Sequence, residues 1–230
     1  MDAVHRGRPK LEPDPQVRES ILKAALAIAD EGSVQELSIS QVLARAHLST
    51  RAFYRHFDSK GTLVTAMFAE IAHLETIRLR QKMSGKDPVS AVVAWIEGRL
   101  DLAFDQQVES AFRQLSIEAH ALLFTSPESL GPAYGEILRP LVEQVARGKS
   151  LGLFAAGHPV EESMSIHGVV WANVERQWAL GTCDLSVVRN QVLRFCLRGL
   201  GAAADVIDEI ISDEKSVERQ LEPVKRQLEP

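Results

Sequence analysis

Apolar positions recur every three and four residues along most of the chain, and alternating β-branched runs are absent, so the pattern predicts an almost wholly helical protein. Asp14-Pro15 joins a capping side chain to a proline at the first helical position. Val17, Ile21, Ala25, Ile28 and Ala29 then form one stripe, and Gly32 supplies a C-terminal cap. Ser38-Ile39-Ser40-Gln41 has the form of a capping box. It opens a short helix with Ile39, Val42 and Leu43 facing inward and Ala46 at its close. Ser49 caps a third helix over 50–56. Asp58 or Ser59 caps a fourth, which runs through Leu63, Met67, Ile71 and Leu74 to about residue 82.

The segment SGKDP, 84–88, interrupts the pattern and marks a domain seam. Asp87-Pro88 repeats the cap-plus-proline device and starts a longer helix through Trp95 and Leu102. Further helices are expected at about 108–124, 132–149, 159–180 and 185–201, with a short one near 204–211. Ser126-Pro127, Gly131-Pro132, Gly157-His158-Pro159 and Gly181 separate them. Helix 159–180 carries Met164, His167, Val170, Trp171, Val174 and Trp178, and helix 185–201 carries Val188, Val192, Phe195 and Leu200. Faces this broad bury more than one side, one on the domain and one on a partner chain. The tail, 212–230, is polar and contains RQLEP twice, at 219–223 and 226–230. A proline in each copy argues against a coiled coil, so the tail reads as disordered or loosely docked.

Composition adds limits. The chain has 230 residues, 45% of them hydrophobic and 25% charged, enough for a sizeable core in one or two domains. Cys183 and Cys196 stand in helical stretches without metal or disulfide spacing and read as core residues. No apolar run reaches the roughly 18 residues of a membrane span, and MDAVHRGRPK lacks the apolar segment of a secretory signal. The expectation is a cytoplasmic protein with no membrane partner. Net charge is −5, but residues 38–60 reverse that sign, with Arg45, Arg51, Arg55 and Lys60 against Asp58 alone. His47 and His56 add to the same stretch. An acidic body with a small basic head suits nucleic-acid reading.

Two short capped helices joined by a three- or four-residue turn make a helix-turn-helix, whose second helix enters the major groove by its N-terminal end. Here that end is Ser49-Thr50-Arg51. Short polar side chains and an arginine can reach base edges. Tyr54, Arg55 and His56 lie one turn on and suit phosphate oxygens. Lys60 sits in the first turn of the fourth helix, where a bound phosphate offsets the unfavourable placement of a cation. Phe53 and Phe57, four apart, lie opposite and lock a small core. The competing reading makes Tyr54 and His56 edge-of-core residues and Arg55 a solvated charge. Ahead of the head, His5-Arg6-Gly7-Arg8-Pro9-Lys10 has the Arg-Gly-Arg-Pro core of an AT-hook. Arg6 and Arg8 there suit a narrow minor groove.

The run ISQVLARAHLSTRAFYRHFDSKGTLVTAMF resembles the DNA-binding head of the TetR family of bacterial transcriptional regulators. The family's F-Y-x-H/Y-F-x-S-K signature stands as Phe53-Tyr54-Arg55-His56-Phe57-Asp58-Ser59-Lys60, and the likeness covers residues 14–70. It implies that Ser38, Thr50, Arg51, Tyr54, His56 and Lys60 lie where family members commonly contact DNA. Two departures stand out: Val42-Leu43 replaces the usual Ile-Ala, and His47 replaces the usual turn glycine. Histidine tolerates the left-handed conformation better than most residues, so the turn survives.

The resemblance also implies an all-α fold in which a three-helix head is joined by a linking helix to a larger bundle that dimerises. The resulting plan is a basic arm over 1–13, a head with linking helix over 14–82, an effector-binding and dimerisation domain over 83–211, and the tail. Helices 159–180 and 185–201 stand where the family forms its homodimer interface. Effector-lining candidates are Trp95, Arg99, Phe104, Phe112, Leu115, His120, Phe124, Trp171 and Asn173, each also readable as core. Their character favours a lipophilic effector with a polar or anionic group. The expected function is a ligand-responsive repressor of a palindromic operator, needing no cofactor. The alternative is an architectural DNA binder that senses nothing. The chain lacks HExxH, a P-loop, GxGxxG and GxSxG, so an enzyme is not expected. His158, Glu162 and His167 do not share a face at metal spacing.

Deleting residues 1–11 is expected to weaken operator binding several-fold, measured by fluorescence anisotropy. Unchanged affinity at moderate salt would refute a role for the arm.

Overall fold

The computed structural model describes residues 14–32, 37–104, 115–116, 127–155 and 157–212. Its elements are helices: α1 (Pro15–Glu31), α2 (Ile39–Ala46), α3 (Thr50–Phe53), α4 (Lys60–Met83), α5 (Pro88–Phe104), α6 (Pro127–Ser150), α7 (Pro159–Leu180) and α8 (Leu185–Gly199). A short α9 follows at 204–212. Packing separates two units. One contains the described residues up to Ile71 with 115–116 and 127–130, and the other contains 72–104 with 131–212. The expected helix at 108–124 is described only at Leu115 and Ser116, both helical and buried, and the RQLEP tail lies outside the described residues.

In the first unit, Ile21, Leu22, Ala25 and Ala29 of α1 meet Val42 and Leu43 of α2, Phe53 of α3, and Leu63, Met67 and Ile71 of α4. Leu37, Phe57 and Leu115 complete this core. The caps follow the local sequence. Asp14 Oδ1 accepts from Gln16 N at 2.9 Å, and Ser38 makes both halves of a capping box with Gln41. Ser59, rather than Asp58, caps α4, because its Oγ accepts from Thr62 N at 3.1 Å while its own N–H reaches Thr62 Oγ1 at 3.0 Å. Gly32 ends α1 with φ −154°, outside the left-handed conformation expected of it. The third helix is shorter than the 50–56 predicted. After Phe53 the chain tightens into three-residue steps, Arg55 N–H to Ala52 O and His56 N–H to Phe53 O. It must leave the helical path before Ser59 can cap the next helix.

Buried residues of α4 follow two adjacent rows at four-residue spacing, Leu63, Met67, Ile71, Glu75, Leu79 and Met83 in one and Phe68, Ala72 and Thr76 in the other. Leu74, expected to continue the inner stripe, is 55% exposed, and Glu75 takes the buried place. These i+4 rows stay on one face of a straight helix, and position 74 lies on the flank opposite the second row.

The second unit is organised around α5, whose Ala91, Val92, Trp95, Ile96, Leu100 and Leu102 are all buried. α7 and α8 pack against it. Gly131-Pro132, expected to separate helices, lies inside α6, as does Pro140. Each interior proline removes a backbone hydrogen bond and costs about 3 kcal/mol. Burial of Ala133, Tyr134, Ile137, Leu141 and Val145 along α6 offsets that cost. No helix among the described residues is long and apolar enough to cross a membrane.

Phe53→Ala is expected to destabilise the first unit by about 3–5 kcal/mol, the usual range for emptying a fully buried aromatic site. Urea unfolding checks it, and a destabilisation under about 1 kcal/mol would contradict the packing role.

Candidate functional site

The turn between α2 and α3 decides what the head presents. His47 adopts φ 54° and ψ 41°, the left-handed conformation a glycine would otherwise supply. Leu48 N–H returns to Leu43 O at 3.0 Å. Ser49 then caps α3, its Oγ accepting from Ala52 N at 3.3 Å. Beyond that cap Thr50, Arg51 and Arg55 are exposed, and Tyr54 is 54% exposed. The Tyr54 ring meets Phe53 edge to face, with centroids 5.4 Å apart, so a core residue sets the direction of an exposed phenol. His56 and Lys60 are half-buried. Of the sequence-predicted DNA-contacting residues, Ser49, Thr50, Arg51, Tyr54, Arg55, His56 and Lys60 thus share one short segment, while Ser38 lies apart at the start of α2.

Two refinements come from geometry. Ser38 and Ser49 have their side-chain oxygens engaged as caps. Arg45, counted with the basic stretch, is held by Glu31 through two hydrogen bonds of 2.5 and 2.6 Å. Glu31 holds its carboxyl below the usual range through that contact. The cationic character of the exposed turn therefore rests on Arg51 and Arg55. Arg6 and Arg8 lie outside the described residues.

In the second unit the effector candidates divide. Trp95 is fully buried, its Nε1–H donating to Ile137 O at 3.2 Å. Its ring lies 6.3 Å from that of His167, which also meets Tyr134 at 5.7 Å and Trp171 at 6.3 Å. Trp171 meets Trp178 at 5.5 Å. Phe104 is half-buried at the end of α5. Asn173 is half-buried, with Nδ2 donating to Val169 O of its own helix at 2.8 Å. Phe112, His120 and Phe124 lie outside the described residues.

Arg99 is 3% exposed, and so is Glu75. Arg99 Nη1 donates to Glu75 Oε1 at 3.1 Å. Arg78 holds the same carboxylate through Nε at 2.7 Å and Nη2 at 2.9 Å. Burial pulls the Arg99 guanidinium down from its ordinary value, and Glu75 opposes that pull. Burial pushes the nearby Tyr134 phenol up to about 12. Sequence reading singled out Arg99 but missed Glu75 and Tyr134, and it named His167 only on the face of its helix and as a metal candidate. The four-residue row of α4 was the signal for Glu75.

α7 and α8 carry an apolar outer face. Val160, Met164, Val187 and Phe195 are each more than half exposed, Phe195 at 65%. Beside them Ile166, Val169, Cys196 and Leu200 line a groove of about 390 Å³. Burial pushes the Cys196 thiol up to about 12, as suits a core thiol. Among the described residues no group of three or more His, Cys, Asp or Glu could hold a metal ion.

The family model described as "Bacterial regulatory proteins, tetR family" matches residues 21–67. The HTH-type transcriptional regulator BetI of Serratia proteamaculans (strain 568) is 33% identical over 106 residues, which are 45% of this chain and 52% of that protein. The chain therefore spans about half the length of this curated relative. Among solved structures, RolR in complex with resorcinol has a TM-score of 0.62 at 20% identity, covering 86% of this chain and 93% of that one. SmeT, the repressor of the Stenotrophomonas maltophilia multidrug efflux pump SmeDEF, has a TM-score of 0.57 at 20% identity, covering 79% and 89%. The helical fold is theirs, and the segment that matches the TetR family of bacterial regulatory proteins is the helix-turn-helix itself.

Proposed function

We propose that this chain is a transcriptional regulator that binds an operator as a homodimer and releases it when a small lipophilic effector enters the second unit. The observation that carries the reading is the exposed cluster Thr50, Arg51, Tyr54 and Arg55, held in place by the caps beneath it and by Phe53. Arg51 and Thr50 read base edges, while Tyr54, Arg55, His56 and Lys60 hold phosphates. One short reading helix per chain covers one half-site, so two heads spaced about one helical turn apart are needed. The apolar outer face of α7 and α8 supplies the second copy: Met164 and Phe195 are large side chains left in water by a single chain.

Effector control follows from linkage. A ligand that prefers a splayed arrangement of heads shifts the population away from the DNA-binding state, and a few kcal/mol of differential affinity suffices. RolR was crystallised with resorcinol and SmeT is a repressor. These likenesses favour a small ligand and repression here.

DNA flanking the protein's own gene is expected to bind tightly and with strong salt dependence, read by anisotropy. Tyr54→Ala combined with Lys60→Ala should abolish tight binding at moderate salt. The residual binding at low salt should have a slope shallower by about 1 for each phosphate no longer neutralised. Equal binding by both proteins would sink the proposed reading surface. Phe195→Glu is expected to sediment as a monomer and to lose operator affinity; a dimer that still binds DNA would remove the α7–α8 interface from the scheme.

A further inference from the structure

The charge cluster on α4 and α5 is not balanced. Arg78, Arg99 and Lys82 are cations; Glu75 and Asp101 are the carboxylates that pair with them. Among the described residues, three positive charges meet two negative ones. Lys82 and Asp101 lie at the wetter end, with side chains 42% and 33% exposed. The other end is dry: the side chains of Arg99 and Glu75 are 4% and 2% exposed. An unbalanced charge costs little in water and much in a dry interior.

The geometry of Arg99 locates the imbalance. A guanidinium presents five N–H groups along edges that match a carboxylate. Glu75 takes Nη1. The buried Nε has no hydrogen-bond partner among the described residues. Arg99 follows Trp95 by four residues on α5, so the two share a face. Tyr134 lies close enough for its charge state to bear on Arg99, and the Tyr134–His167–Trp171 ring contacts continue from there. A desolvated cation edge beside aromatic rings matches a flat apolar body carrying one carboxylate.

Glu75 is not abandoned if Arg99 turns to another anion. Arg78 holds both of its oxygens and also donates to Gly98 O at 2.5 Å. Glu75 and Arg78 both belong to α4, the helix that begins at Lys60. An anion on Arg99 therefore changes the load on that helix without orphaning a charge.

We propose that Arg99 is the anion-reading group of the sensing unit, and that small aromatic carboxylates bind its unpartnered Nε edge beside Glu75. This rests on the effector-responsive reading above and names its ligand class. The ligand's charge balances the cluster, and its ring packs against the aromatic residues. Neutral analogues gain the packing without the paired hydrogen bonds.

The test uses the full-length protein with 2-naphthoate and benzoate, and with their neutral amides as controls. Binding is read by tryptophan fluorescence and thermal shift, and operator release by anisotropy. The carboxylates should bind, raise the melting temperature and release DNA, with the amides weaker by about tenfold, the worth of a charged hydrogen bond. Arg99→Met should lose that preference. Glu75→Gln should tighten naphthoate binding several-fold, because a negative charge beside the bound carboxylate is removed. Equal naphthoate binding by wild type and a folded Arg99→Met overturns the proposal. So does unchanged affinity in Glu75→Gln, which settles the matter if Arg99→Met fails to fold. Operator release by the amides alone overturns the anion-reading role and leaves the sensing reading standing. If neither series binds and operator affinity never moves, the sensing reading falls and this inference with it.

Discussion

A helix of a single turn has almost no stability of its own, because nucleation fixes several residues for one hydrogen bond. α3, Thr50–Phe53, is such a helix, and the proposed reading surface hangs on it. What holds it is the burial of Phe53, fully enclosed in the core of α1, α2 and α4 and tilted against the Phe57 ring at 5.6 Å. The rest of the head follows from that anchor. Ser49 can cap the turn only if Phe53 fixes its far end. Tyr54 points outward because its ring leans on Phe53, and the guanidinium of Arg18 closes over Phe57 at 5.4 Å.

The second unit obeys a different constraint. Its centre is α5, apolar on nearly every side, and a charge placed there needs a partner. Arg99 is that charge, and Glu75 on α4 is the partner. The pair gives little net stability, because desolvating both ions offsets their attraction. Its place in an otherwise apolar core is what the proposed anion-reading role would use. The outer face of α7 and α8 shows the complementary case, with Phe195 and Met164 exposed on a single chain and suited to a second copy.

Much of the head was legible in the sequence because its determinants are local. The capping box at Ser38, the Asp14-Pro15 start and the histidine in a left-handed turn each involve atoms within a few residues of one another. The signature from Phe53 to Lys60 is likewise one short run of chain. Where reading failed, a longer-range effect decided. Gly131-Pro132 looked like a break, yet packing of Tyr134, Ile137 and Leu141 carries α6 through it. Leu74 looked like core, yet the buried row of α4 passes through Glu75.

The sequence by itself determined the helices, their caps, the basic turn and the family that the head resembles. It did so because hydrophobic period, capping and turn chemistry act between near neighbours. Only the tertiary structure decided which charges were spent and which were offered. Arg45 is tied to Glu31 and Arg99 to Glu75, while Arg51 and Arg55 are exposed. Ion pairing depends on distances of a few ångströms between residues far apart in the chain, and burial sets how strongly each pair is felt.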